Sequence, residues 1–429
     1  MSEESHELDS HTPSNVDYEG NVPTVLNLSL VTFLVLLGLS MVAPILPTYA
    51  ESFQVSYTLV GFVVSSFAVT RMVLDIPAGL LSRKVDKKRI MVSGLLLIST
   101  SSILAGAAPN YPVLIIARMI EGAGSALYVT TATVFLAQIS GEEKRGKYMS
   151  MYMGMLLLGA IFGPTFGGVI ADAYDIRAPF FAYAIITGLG VIPTLVLPKL
   201  SNSGNTSSIL KPKEIFHDMK QVLIAPSFLL ATFAIFTTFF LRTGVRTTLV
   251  PLFATNNLGL GPSSVGLILT FAGITTAITI VPMGSISDRI GRKIPLALCL
   301  VLSAVIILLI PFSSDMPTLG ITMAIYGAVI GLSGPSAAYI TDLSPKDKLE
   351  ISMGLYRTIS DAGFVVGPIL LGYLADVTAT PVPGASHSGL IGMVPFIAAS
   401  VILIVAFFVL LKADDPILSK NRGHVTELL

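Results

Sequence analysis

Long runs of Leu, Ile, Val, Phe, Ala and Gly with hardly a charge alternate with short polar connections along almost the whole chain. About 20 apolar residues suffice to carry a helix across a bilayer. Twelve such runs occur, near 25–49, 57–81, 90–108, 112–138, 147–171, 179–198, 225–254, 262–286, 294–313, 317–341, 351–375 and 389–412. The pattern predicts an all-α membrane protein of twelve transmembrane helices. It also repeats: residues 163–172 read GPTFGGVIAD, and 204 positions later residues 367–376 read GPILLGYLAD. Within one residue the same offset links Pro47 to Pro251, Gly61 to Gly266, Pro77 to Pro282, Gly79 to Gly284 and Gly122 to Gly327. One register held over so many spans marks a duplicated unit, and so predicts two pseudo-symmetric six-helix bundles.

Composition agrees with a membrane setting: 53% of residues are hydrophobic, 12% are charged, and the mean hydropathy is +0.79. A soluble chain of this length would need far more surface charge. The single Cys299 excludes an intramolecular disulfide framework, and with five histidines it leaves little material for a metal site. Charge position says more than the net charge of zero. The connections after the even-numbered spans, together with the C-terminal segment, carry 20 of the 26 Lys and Arg, whereas the opposite connections carry Arg177 alone. By the positive-inside rule, both termini are expected in the cytoplasm of a cell whose plasma membrane the chain spans. The expected organisation is an acidic disordered tail (1–24), a first bundle (25–198), a polar cytoplasmic linker (199–224), a second bundle (225–412) and a tail (413–429).

Four motifs refine this picture. The connection after span 8 reads Gly284-Ser-Ile-Ser-Asp288-Arg289-Ile-Gly291-Arg292-Lys293, and span 4 carries Arg118-Met-Ile-Glu121-Gly122-Ala-Gly124. Span 1 ends Gly38-Leu-Ser-Met-Val-Ala-Pro44-Ile-Leu-Pro47, and span 5 contains Gly159-Ala-Ile-Phe-Gly163-Pro164-Thr-Phe-Gly167-Gly168. Together these resemble the major facilitator superfamily and, within it, the twelve-span drug:proton antiporters. The resemblance runs from about residue 25 to 412. It implies a secondary transporter working by alternating access, here a proton-coupled antiporter exporting amphiphilic drug-like small molecules. The alternative is a carrier of an organic anion or carboxylate metabolite. The expected partners are a small-molecule substrate, protons and the lipid bilayer. The chain is expected to act as a monomer, without enzymatic activity, cofactor, metal or nucleic acid. Gly141-Glu-Glu-Lys-Arg-Gly146-Lys147-Tyr148 nearly spells a phosphate-binding loop, but Tyr148 replaces the required Ser or Thr and a membrane span precedes it.

Gly159, Gly163 and Gly167 recur every four residues and form one smooth stripe that allows close helix approach. The resemblance implies that this stripe faces span 8, with Pro164 bending the helix, and it gives Gly367 and Pro368 the matching place in span 11. The first loop departs from the family pattern. Aligned on Gly79, the usual Asp-Arg pair becomes Arg83-Lys84, and Asp86 stands for the usual glycine. Arg83 is therefore expected to pair with Asp347 or Glu350. Asp288 is expected to face Lys144, Arg145 and Lys147.

Eight ionisable residues lie within spans: Arg71 and Asp75 in span 2, Arg118 and Glu121 in span 4, Arg242 and Arg246 in span 7, and Arg357 and Asp361 in span 11. Such groups are costly in a bilayer and are usually functional or paired. Depth from the span ends sets Asp75 level with Arg357 and Arg71 level with Asp361, if spans 2 and 11 are the neighbours the resemblance implies. Each Arg could instead satisfy the Asp one turn away on its own helix. Either aspartate is a candidate proton carrier, and Arg118 and Glu121 join them as coupling candidates. The resemblance also implies that spans 1, 4, 7 and 10 line a central cavity, which nominates Arg118, Glu121, Arg242, Arg246 and Tyr326 as its wall. The excess of arginine there suggests an anionic ligand.

Overall fold

The computed structural model describes residues 22–140, 144–199, 212–380 and 389–417. The termini, the polar stretch of the linker and the Gly141–Glu143 part of the decoy loop lie outside the described residues, as do the side chains of Arg83 and Glu350. Among the described residues twelve helices are long and apolar enough to span a membrane: α1 (Val22–Val42), α2 (Tyr57–Ser82), α3 (Lys87–Gly106), α4 (Tyr111–Ile139), α5 (Arg145–Ala173), α6 (Ala178–Val196), α7 (Pro226–Asn256), α8 (Pro262–Ile290), α9 (Lys293–Phe312), α10 (Met316–Leu343), α11 (Ile351–Thr378) and α12 (Val394–Leu411). Among the described residues the one β contact is a bridge between Thr380 and Leu390.

Polar side chains start several of these helices by taking up backbone N–H groups that have no partner in the first turn. The Asn110 side chain accepts from Val113 N at 3.1 Å, and Asp315 accepts from Thr318 N at 2.9 Å. Breaks fall at prolines and glycines. The first run stops at Val42, turns at Ala43–Ile45, and resumes as a short helix, Leu46–Glu51. Pro44 and Pro47, which lack N–H donors, account for that interruption.

Helices α1–α6 and α7–α12 form the two bundles, packed within themselves through glycine contacts. The Gly159–Gly163–Gly167 stripe of α5 faces α1, not α8: a Cβ on Gly163 would lie 2.6 Å from Leu37 O, and one on Gly159 would lie 2.7 Å from Phe33 O. The copy behaves alike, because Gly363 and Gly367 of α11 press on Phe236 O and Phe240 O of α7. The expected contact of this stripe with α8 is thus replaced by one inside the bundle. Residues on the next face of α5 make the contact with α8. Gly168 lies against Pro262 O, and Gly266 of α8 lies against Pro164 O.

The loops rich in Lys and Arg lie at one end of the helices, here called the basic face; the opposite end is the far face. On the basic face, α8 stops at Gly291, whose φ of 91° is open to glycine and strained for other residues. That turn lets Lys293 Nζ reach Leu411 O at 2.7 Å and Ala413 O at 2.6 Å, tying α9 to the end of α12. Lys88, 205 positions earlier, does the same for α6 through Leu197 O at 3.2 Å. Asp86, where the family pattern has glycine, caps α3 by accepting from Lys88 N at 3.1 Å.

Candidate functional site

The bundles meet along two helix pairs, α2 with α11 and α5 with α8. The two seams correspond on the far face. Asp376, at the end of α11, accepts from Tyr57 N at 2.6 Å and Thr58 N at 2.7 Å, and also from the Thr58 hydroxyl. Asp172, at the end of α5, accepts from Ser263 N at 2.9 Å. Each bundle's terminal aspartate therefore caps a helix of the other bundle, where the helix dipole favours an anion. Asp172 takes one backbone bond fewer because α8 begins with Pro262, which has no N–H to offer. Deeper in the seam, Ser65 donates to Val365 O at 2.7 Å, and Thr270 donates to Ile161 O at 3.0 Å. Glu51 and Asn256 close the far face between the pairs, with Asn256 Nδ2 2.9 Å from Glu51 Oε1.

One further step toward the basic face, the symmetry ends. In the α2–α11 seam, Arg71 Nη2 lies 2.6 Å from Asp361 Oδ1, and Arg357 Nη2 lies 3.0 Å from Asp75 Oδ2. Both ion pairs cross between bundles rather than running along one helix. Arg71 and Asp361 are 25% and 7% exposed, and the Arg71 guanidinium sits 5.7 Å from the Phe67 ring and 5.9 Å from the Phe364 ring. Asp75 also accepts from the Thr130 hydroxyl of α4 at 2.9 Å, while its partner Arg357 is 56% exposed. Asp75 Oδ2 faces Arg357 without hydrogen-bond geometry, so this rung is the looser of the two. A cavity of about 150 Å³ opens beside the rungs, walled by Asp75, Thr130, Arg357 and Asp361.

At the corresponding level of the α5–α8 seam there are no charges, only Leu157 and Thr276, and a second cavity of about 150 Å³. Its polar wall comes from α7. Residues Arg242–Leu249 of α7 form a π-helical stretch, in which Val250 N donates to Val245 O five residues back. The hydroxyls of Thr247 and Thr248 bond the carbonyls of Arg242 and Thr243, also five residues back, at 3.2 and 3.0 Å. Such widened turns often occur at functional sites. Here Arg242, Arg246 and Thr247 all line the cavity, and Arg246 Nη2 is anchored on Leu269 O of α8 at 3.0 Å. Among the described residues neither arginine forms an ion pair.

Two expected wall residues of span 4 lie elsewhere. Arg118 and Glu121 pair with each other inside the first bundle, 4% and 1% exposed, and Arg118 stands 5.0 Å from the Phe67 ring. Tyr326 is fully buried, and its hydroxyl has no hydrogen-bond partner. The wall instead includes Ser40 and Ala43 of the span 1 motif, Ala160 of the span 5 motif, and Phe364, which lies in none of the motifs.

Toward the basic face the glycines of the seam helices are loosely packed. A Cβ added at Gly284 or Gly354 would meet nothing within 4 Å, and one at Gly79 would meet only Thr130, at 3.8 Å. Asp288 does not reach Lys144, Arg145 or Lys147. It is 60% exposed and lies 3.0 Å from Arg292, which also bonds Asp342 at the end of α10. The motif's charges thus close on their own bundle. Arg289 is exposed.

Comparison with known proteins adds an independent view. The sequence profile of the Major Facilitator Superfamily matches residues 28–247 and again 231–427. The chain is 25% identical over 351 residues to Multidrug resistance protein 2 of Bacillus subtilis (strain 168), covering 80% of this chain and 87% of that one. It is also 25% identical over 351 residues to Quinolone resistance protein NorA of Staphylococcus aureus (strain COL), covering 80% and 88%. Among solved structures, a bacterial homolog to human lysosomal transporter, Spinster, in inward-facing and unoccupied conformation, superposes with a TM-score of 0.77. It is 15% identical, and the match covers 93% of this chain and 97% of that one.

Proposed function

This chain belongs to the Major Facilitator Superfamily, and from that premise we propose that it is a proton-coupled antiporter exporting amphiphilic small molecules across the cell membrane. Its multidrug-resistance relatives support efflux as the direction. The positive-inside rule puts the basic face and both termini in the cytoplasm. The far face is then the outer one, closed by the swapped aspartate caps, and the loosely packed basic face is the side from which an exporter loads.

One observation carries the coupling: two ion pairs, Arg71–Asp361 and Asp75–Arg357, bridge the bundles beside a cavity. A proton arriving at either aspartate removes the negative partner and leaves the opposing arginine without its counter-ion, so protonation weakens the seam it sits in. Proton binding and bundle movement are thereby linked through the same two carboxylates. Substrate occupies the neighbouring α5–α8 cavity. Alternating access then amounts to rocking one bundle on the other about the site between them, the far-face contacts breaking as the basic face closes.

The test is reconstitution in proteoliposomes with an imposed pH gradient. Substrate movement against its own gradient, accompanied by counter-movement of protons read by an entrapped pH dye, is the expected result. Substrate movement indifferent to the pH gradient would refute coupling.

A further inference from the structure

We infer that the α5–α8 cavity is built for an anionic headgroup, so that the transported amphiphiles are acids rather than cations; this rests on the antiporter reading above for its transport consequence alone. Arg242 and Arg246 enter one cavity from a single π-helical turn, and among the described residues no carboxylate answers either of them. No acidic residue lines that cavity. Arginine without a counter-ion in a largely apolar wall is costly. The pairing that removes the cost elsewhere in this chain, at Arg71, Arg118 and Arg357, is absent only here among the intramembrane arginines. A ligand carboxylate would complete it, because a guanidinium offers a planar fork of donors that matches a carboxylate with two parallel bonds.

Two neighbours favour the same occupant. Arg246 is held on Leu269 O, so one of its donors is fixed and the guanidinium is oriented before any ligand arrives. Thr247, from the same π-helical turn, adds a hydroxyl to the cavity wall beside the two arginines. Most of the remaining wall is apolar, with Leu157, Ile161, Leu269 and Phe364 beside the hydroxyls of Ser40 and Thr276, and a cavity of about 150 Å³ is roughly the volume that accommodates one benzene-sized ring. An aromatic or short aliphatic acid therefore fits: its charged end at Arg242 and Arg246, its apolar body against α5, α8 and α11.

The experiment is calorimetric titration of the purified full chain with benzoate, with benzamide, and with benzyltrimethylammonium. The benzoate is expected to bind at least about tenfold tighter than the neutral or cationic analogue, the discrimination that charge-assisted hydrogen bonds provide. Arg242→Gln and Arg246→Gln should each abolish that preference, while Arg242→Lys, which retains the charge, should keep most of it. Equal binding of the three probes, or benzoate preference surviving in both Gln variants with unchanged melting temperatures, would overturn the assignment. Should the Gln variants fail to fold, the ranking of the three probes on the unaltered chain decides by itself. Tighter binding of dioctanoyl phosphatidylglycerol than of benzoate would reassign the headgroup site to lipid. Arginine-dependent benzoate binding without vesicle transport would leave the site standing and remove the antiporter reading; transport of cations without benzoate binding would do the reverse.

Discussion

At the scale of single residues, the two ion-pair rungs are not equivalent, and they predict different failures. Asp75 is held by Thr130 and only loosely by Arg357, so an amide in its place keeps the Thr130 hydrogen bond and the fold. Asp75→Asn should abolish substrate accumulation driven by a pH gradient while leaving substrate exchange without a gradient intact. Persistence of gradient-driven transport in that variant would take the proton role from Asp75. Asp361→Asn strips Arg71 of a partner inside a tight, mostly buried pair, and removing one member of such a pair costs about 3–5 kcal/mol. A fall of several degrees in melting temperature in detergent is the expected readout. Counting depth from the span ends was enough to level Asp75 with Arg357 and Arg71 with Asp361 in the sequence. The same counting could not say which way Arg118 and Glu121 point. A helix apolar on nearly every side offers no contrast between wet and dry faces to orient it.

Among elements, the glycine stripe of α5 shows how far a periodic pattern can be read. Spacing every four residues identifies a close-contact face, but both α1 and α8 border α5, and the stripe alone does not choose between them. The structure assigns it to α1, so Gly163→Leu should force apart helices of one bundle. The side chain would meet Leu37 O and Ser40, and overpacking of this kind costs about 1–3 kcal/mol, visible in a thermal melt. A Cβ at Gly284 meets nothing within 4 Å in this conformation, so Gly284→Ala should melt like the parent chain. It should nevertheless slow transport, if closing the basic face brings α5 onto that position. The π-helical turn of α7 had no sequence signature at all. Arg242 and Arg246 lie four apart, as they would on one face of an ordinary helix, and the extra residue per turn emerges only from the backbone bonding.

For the whole molecule, the closed far face is the feature that sets the conformational balance. Asp172 and Asp376 each contribute about 1 kcal/mol if they behave as ordinary helix caps. Losing both by substitution with Ala should shift the balance between closed and open far face by roughly tenfold or more. A cysteine introduced at Thr165, beside Thr270 in the α5–α8 seam, would report the shift through labelling by a maleimide that cannot cross the membrane. Background from the native thiol is small, because Cys299 is buried. Faster labelling in the Asp172→Ala/Asp376→Ala chain is expected; an unchanged rate would mean that the caps do not hold the face shut. The repeat unit and the twelve spans were readable from the chain because hydropathy and duplication are properties of long stretches. Which face was open was not, because it depends on contacts between stretches far apart.

The reciprocal caps make the contact between halves an isologous one, the kind two identical subunits make about a two-fold axis, where each patch meets its own copy. Glu51 and Asn256, 205 positions apart and therefore counterparts, touch one another, as residues on such an axis must. The instructions for joining the halves are thus written twice in the membrane segments themselves, and the connecting segment need carry none of them. Two separate polypeptides, cut between residues 200 and 211 and produced together, should find each other in the bilayer as partners in a heterodimer.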